Sequence, residues 1–201
     1  MRYRSITASL LLVATCCVVA ARAEDPQPKF IELAGGKIVL PVPVEWKPEE
    51  PKSRIVQYEF SAPAKAFKGN DKQQAAGKPP ELARITIMGS GGGVEANLDR
   101  WYGQFEQPGG GATKDKAKLE KFEAGGQTVH YVDLTGSFKD SMGAGPFSGK
   151  PAVVRENYRM LGAIIETKEL GDYFVKITGP ANVLEELDDG FKKMLKELKT
   201  K

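Results

Sequence analysis

Residues 173–198, YFVKITGPANVLEELDDGFKKMLKEL, change period halfway along. Up to Thr178 the apolar side chains alternate, with Tyr173, Val175 and Ile177 facing one way, as a half-buried strand requires. After Gly179 and Pro180 the spacing becomes helical. Val183, Leu184, Leu187, Phe191, Met194, Leu195 and Leu198 form one continuous apolar stripe. Pro180 suits a first helical turn, where its missing N–H costs nothing. Glu185, Glu186, Asp188 and Asp189 precede Lys192, Lys193, Lys196 and Lys199, an order that complements the helix dipole. A helix over about 180–198 is expected, entered directly from a strand, with those acids on its solvated face.

Working upstream, Arg155–Glu166 pairs with Tyr173–Thr178 as a hairpin around Leu170-Gly171-Asp172. Lys118–Glu123 and Gln127–Phe138 read as two further strands around Gly125-Gly126. A second helix, over about 94–106, carries Leu98, Trp101, Tyr102 and Phe105 at i, i+3, i+4 and i+7. Phe30–Leu33, Lys37–Leu40, Ile55–Phe60 and Leu82–Met88 complete the strands. In Ile55–Phe60, Val56, Tyr58 and Phe60 share one face, and Gln57 and Glu59 the other. Ala62–Glu81 and Lys139–Ala152 are long Gly- and Pro-containing loops. Hairpin-length connections make the sheet largely antiparallel, and two apolar helix stripes must cover it. The expected fold is α+β, an α/β/α sandwich with two main helices.

The N-terminus has a separate logic. Arg2 and Arg4 precede an apolar run, Leu10–Ala21, and Ala21-Arg22-Ala23 offers small residues at a cleavage site. The run is well short of the ~20 residues that span a bilayer as a helix. Residues 1–23 are expected to be an export signal, 24–29 a flexible lead and 30–201 a single domain. The protein would then act in the periplasm or outside the cell. Lipidation at Cys16 is the lesser alternative, because Thr15 is a poor residue just before a lipobox cysteine. The whole chain has 29 Lys+Arg and 26 Asp+Glu. Without Arg2, Arg4 and Arg22 the balance is 26 to 26, which gives no bulk attraction to nucleic acid or anionic membrane. The same cut removes both cysteines, Cys16 and Cys17, so the domain must be held by its core.

The proline-bounded Leu40-Pro41-Val42-Pro43-Val44-Glu45-Trp46 is similar to the opening of the PsbP-like fold. So is the ending, in which the strand pair Tyr158–Glu166 and Tyr173–Thr178 runs through Gly179-Pro180 into a helix with Phe191 and Met194. Residues 97–105, NLDRWYGQF, and 131–136, YVDLTG, resemble segments of secreted bacterial proteins of planctomycete type. The resemblance implies an α/β/α sandwich whose members mostly bind or help assemble other proteins. It transfers no active-site residue, and function taken from it is fold-level analogy.

Motifs for chemistry are sparse. Gly89–Gly93 precedes a helix, but no Lys-Ser/Thr follows and the context is not βαβ, so it reads as a connection rather than a nucleotide cradle. His130 is the only histidine and lies in a strand with no obvious sequence partner; it reads as a packed or hydrogen-bonded strand histidine. One histidine and a cysteine-free domain leave no ligand set for zinc, haem or iron–sulfur. No catalytic residue, metal or cofactor is expected. Trp46, among Pro41, Pro43, Pro48 and Pro51, is expected at the surface as a stacking residue. Met142 and Phe147, apolar residues on the second long loop, are expected to form the main partner-binding patch. The functional expectation is an exported, non-enzymatic binding or assembly module that recognises a protein or envelope partner through surface loops. No nucleic acid is expected as a partner, nor stable membrane insertion after signal cleavage. The alternative is a periplasmic or extracellular hydrolase using dispersed carboxylates.

Overall fold

A computed structural model describes residues 29–63, 81–141 and 151–201. The chain starts with β1 (Lys29–Leu33), a 3-10 turn at Ala34–Gly36, β2 (Ile38–Val42), β3 (Lys47–Glu49) and β4 (Tyr58–Pro63). Then follow β5 (Leu82–Ser90), α1 (Val94–Tyr102), β6 (Phe105–Glu106), α2 (Thr113–Lys116) and β7 (Lys118–Ala124). The remainder is β8 (Gln127–Asp140), β9 (Val153–Glu166), β10 (Asp172–Pro180), α3 (Ala181–Lys196) and β11 (Lys199–Thr200). Among the described residues eight strands make one sheet in the order β3-β4-β5-β10-β9-β8-β6, with β7 also on β8; β1, β2 and β11 make a smaller one. Every pairing is antiparallel.

The tightest hairpin shows how the sequence sets the register. Gly125 and Gly126 alone join β7 to β8, at φ 56° and 76°, and Ala124 pairs with Gln127. Two consecutive positive φ values are what a two-residue turn matched to strand twist demands, and glycine supplies them without strain. Along β8 the side chains then alternate between two cores. Val129 and Tyr131 join the cluster that contains α3's Val183, Leu184, Leu187, Phe191, Met194 and Leu195. Val132 and Leu134 join the cluster that contains α1's Leu98, Trp101 and Tyr102. The two helices therefore cover opposite faces of the large sheet, as an α/β/α sandwich requires. The small sheet adds Ile31, Leu33, Ile38, Leu40 and Val42 to the α3 side.

Four sequence expectations are corrected. The helix over 94–106 ends at Tyr102, because Phe105 leaves it to pair with Phe138 as β6. The strand placed at Ile55–Phe60 begins at Tyr58, and Ile55 is exposed. Glu59, placed on an outer face, is 3% exposed, because Arg84 across the pairing neutralises it. Asp188, placed on a solvated helix face, accepts hydrogen bonds from Tyr131 Oη at 2.8 Å and Arg159 Nη2 at 2.7 Å, so it turns toward the sheet. Residues 1–28, the expected signal and most of the lead, lie outside the described residues.

Close approach of α1 to the sheet depends on one missing side chain. A Cβ at Gly162 on β9 would lie 2.6 Å from Trp101 Cζ3 and 3.0 Å from Val132 Cγ1. Trp101 and Val132 are both buried, so neither can swing aside. Gly162→Ala is expected to lower unfolding stability by about 1–3 kcal/mol, the usual cost of overpacking. Adding Trp101→Phe, which shrinks the obstructing ring, should make the pair cost less than the sum of the singles. Denaturant titrations of the three variants measure this; strict additivity would show that the contact does not matter.

Candidate functional site

Helix α1 covers only part of its face of the sheet. Trp101 sits over Gly162 and meets Phe174 of β10 edge-on, with centroids 5.1 Å apart. Toward β4 and β5 no described helix lies on that face, and there it forms an open cleft of about 360 Å³. Alternation along each strand decides what lines it. On β10, Val175 and Ile177 point into the α3 core, so Lys176 and Thr178 point the other way, into the cleft. On β5 and β4, Ile85 and Phe60 belong to that core, while Arg84, Glu59 and Ser61 face the cleft. The far wall is Phe138 and Asp140 from β8 with Arg155 and Tyr158 from β9. The rings of Phe138 and Tyr158 stack at 6.0 Å with an interplanar angle of 3°. Pro63 pairs with Leu82 and Asp140 with Val153. The strand ends bounding residues 64–80 and 142–150 therefore meet at the rim of the cleft.

Most of the cleft's charges are matched within it. Arg84 donates from Nε and Nη2 to Glu59 at 2.7 and 3.0 Å, and the Lys52 backbone N–H adds a third bond at 3.0 Å. The Arg84 bond, more than any other interaction, holds the Glu59 carboxyl below the usual carboxylate range. Arg155 Nε donates to Asp140 Oδ2 at 2.8 Å, a bond that raises the guanidinium's pKa further. Ser61 Oγ donates to Glu49. Lys176 is different. Its half-buried ammonium donates to the neutral amide oxygen Gln104 Oε1 at 3.3 Å, and among the described residues no carboxylate lies within 4.0 Å of it. Burial, reinforced by the Arg84 charge and opposed by Asp140, pushes its pKa down to about 8.

The residues singled out from sequence lie elsewhere. Trp46 is corrected: it is 3% exposed and packs its ring against Phe60 at 5.7 Å and Phe191 at 6.5 Å. The surrounding prolines neither keep the chain out of strands nor expose the ring: Pro41 lies within β2 and Pro48 within β3, and the ring fills the space between β4 and α3. Met142 and Phe147 lie outside the described residues. The glycine run leads into α1, and Asn97 Nδ2 donates to the carbonyls of Gly91 and Gly93 at 3.1 and 2.7 Å, consistent with a structural connection. His130 Nε2 lies 2.9 Å from Glu166 Oε2, a partner supplied by the β8–β9 pairing. Among the described residues no group of three His, Cys, Asp or Glu side chains is placed to hold a metal, and no helix is long and apolar enough to cross a membrane. Sequence reasoning missed Lys176, although it is a lone charge in an apolar strand between Val175 and Ile177.

No family model and no curated protein matches the chain. Among solved structures it is similar to cyanobacterial PsbP (CyanoP) from Synechocystis sp. PCC 6803, with a TM-score of 0.47 and 11% identity over 94% of this chain and 99% of that one. It is also similar to LpqN, involved in cell envelope biogenesis of Mycobacterium tuberculosis, with a TM-score of 0.42 and 12% identity over 89% and 87%. The narrower likeness to planctomycete-type proteins gains no support from these matches.

Proposed function

We propose that this chain is an exported, non-enzymatic binding module that takes its ligand in the cleft beside α1. The observation that carries this reading is the part of that face which α1 leaves uncovered among the described residues, where polar side chains from six strands, β3, β4, β5, β8, β9 and β10, converge on one concave surface. Its volume lies at the lower end of the range of small-molecule sites. Export rests on the signal-like pattern of residues 1–23.

The hydrolase alternative fares worse on the same geometry. A glycosidase pair needs one carboxyl held protonated as the acid. Glu59 is driven the opposite way by Arg84, and Asp140 is ion-paired with Arg155. A thermal-shift screen of small molecules, with hits mapped by amide NMR shifts, tests the binding reading. Hits should move resonances of Arg84, Lys176 and Thr178, and protein recovered from the envelope should begin at Glu24. Turnover of glycosides, esters or peptides that is lost in Glu59→Gln or Asp140→Asn would replace this reading with the hydrolase.

A further inference from the structure

Among the described residues four cations and three carboxylates line the cleft, and the carboxylates are all engaged. Glu59 is held by Arg84, Asp140 by Arg155, and Glu49 accepts from Ser61. Lys176 is left with a neutral partner at 3.3 Å. It stands on β10, the strand flanked by β5 and β9 near the middle of the sheet, so its amine is fixed at the floor rather than sweeping through solvent. An ammonium removed from water without a counter-ion is costly; the lysine then gives up its proton more easily, and an anion supplied beside it is what restores the charged form. Among the described residues no carboxylate is supplied within ion-pair distance.

We propose that the cleft binds an oxyanion, a carboxylate or phosphate group of a small molecule, on the Lys176 ammonium between Arg84 and Arg155. This rests on the reading of the cleft as the ligand site. The Phe138 and Tyr158 rings stack on each other in the wall, with Arg155 5.8 Å from the Tyr158 centroid, so the oxyanion's carrier meets an apolar, aromatic neighbour there. The groups facing Lys176 are Glu59 from β4, Arg84 from β5, Asp140 from β8, Arg155 and Tyr158 from β9, and Gln104 from the α1–β6 connection. The two arginines favour a bound anion while also disfavouring a charged lysine, and Asp140 partly offsets them.

Burial and the Arg84 charge lower the free amine's pKa to about 8, and a bound anion raises it again, so binding takes up a proton at alkaline pH. Affinity should be nearly constant well below pH 8 and then weaken by about tenfold per pH unit above it.

Benzoate, phenyl phosphate and the neutral benzamide serve as probes, titrated against the full chain with amide NMR as readout. Either anion should shift Arg84, Lys176 and Thr178 saturably, and whichever binds tighter identifies the head group as carboxylate or phosphate. Lys176→Met should weaken that anion at least tenfold without lowering the unfolding midpoint, while Lys176→Arg retains binding. Benzamide binding as tightly as benzoate and phenyl phosphate would overturn the oxyanion assignment and leave the cleft a ligand site. Failure of all three probes to shift cleft residues would overturn both. Anion binding unchanged in Lys176→Met, or indifferent to pH between 7 and 10, would remove Lys176 from the site.

Discussion

Replacing Trp46 with alanine is expected to cost about 3–5 kcal/mol of folding stability, the range for deleting a buried aromatic ring. The ring is 3% exposed and lies between Phe60 of β4 and Phe191 of α3. Its backbone N–H donates to Pro43 at 3.0 Å, closing the turn that carries the chain from the small sheet to the large one. The side chain thus ties the edge of the large sheet to the C-terminal helix. Relaxation into the cavity is limited, because Phe191 is itself fully buried and also approaches Tyr131 at 6.1 Å. Trp46→Phe keeps most of the apolar volume and should cost clearly less. Denaturant unfolding followed by circular dichroism measures both, and a loss below about 0.5 kcal/mol in Trp46→Ala would place the ring at the surface.

Trp46 marks the boundary of what the chain reveals on its own. Local rules read well: alternation and Gly125-Gly126 located β7 and β8, and the apolar stripe located α3. Of the four prolines around Trp46, expected to break regular structure, Pro41 is accommodated within β2 and Pro48 within β3. Proline chemistry governs φ and hydrogen bonding, however, and is silent about whether a neighbouring ring is covered. Phe105 satisfied the helical stripe, yet pairing with Phe138 outcompeted a further turn of helix. The cleft was the least legible feature. Glu59, Arg84, Asp140, Arg155 and Lys176 meet only because β10, the last long strand, inserts between β5 and β9. Sequence-distant pairing of this kind leaves no periodic trace. A lysine between two core residues was the available signal, and its meaning depends on how little of that face α1 covers.

Asp188 shows the same limit on the opposite face, and it leads to the second large effect. Arg159 of β9, 13% exposed at the side chain, donates Nε and Nη2 to the two oxygens of Asp133 at 2.8 and 3.0 Å. The same Nη2 reaches Asp188 of α3 at 2.7 Å. Tyr131 donates to the other oxygen of Asp188 at 2.8 Å, and burial, reinforced by that bond, keeps its phenol neutral far above the usual range. One guanidinium therefore offsets two carboxylates, with Asp133 6% exposed, and locks α3 to the sheet. Lys118 at 3.7 Å from Asp133 and Lys192 at 3.8 Å from Asp188 supply only longer, more solvated contacts. Arg159→Met preserves much of the side chain's volume but strands the acids, so it should cost about 3–5 kcal/mol at pH 7. Adding Asp133→Asn removes one of the two uncompensated charges and should recover part of the loss at pH 7. A cost below about 1 kcal/mol in Arg159→Met, the range of solvent-exposed ion pairs, would mean that water reaches this network and that apolar packing alone docks α3.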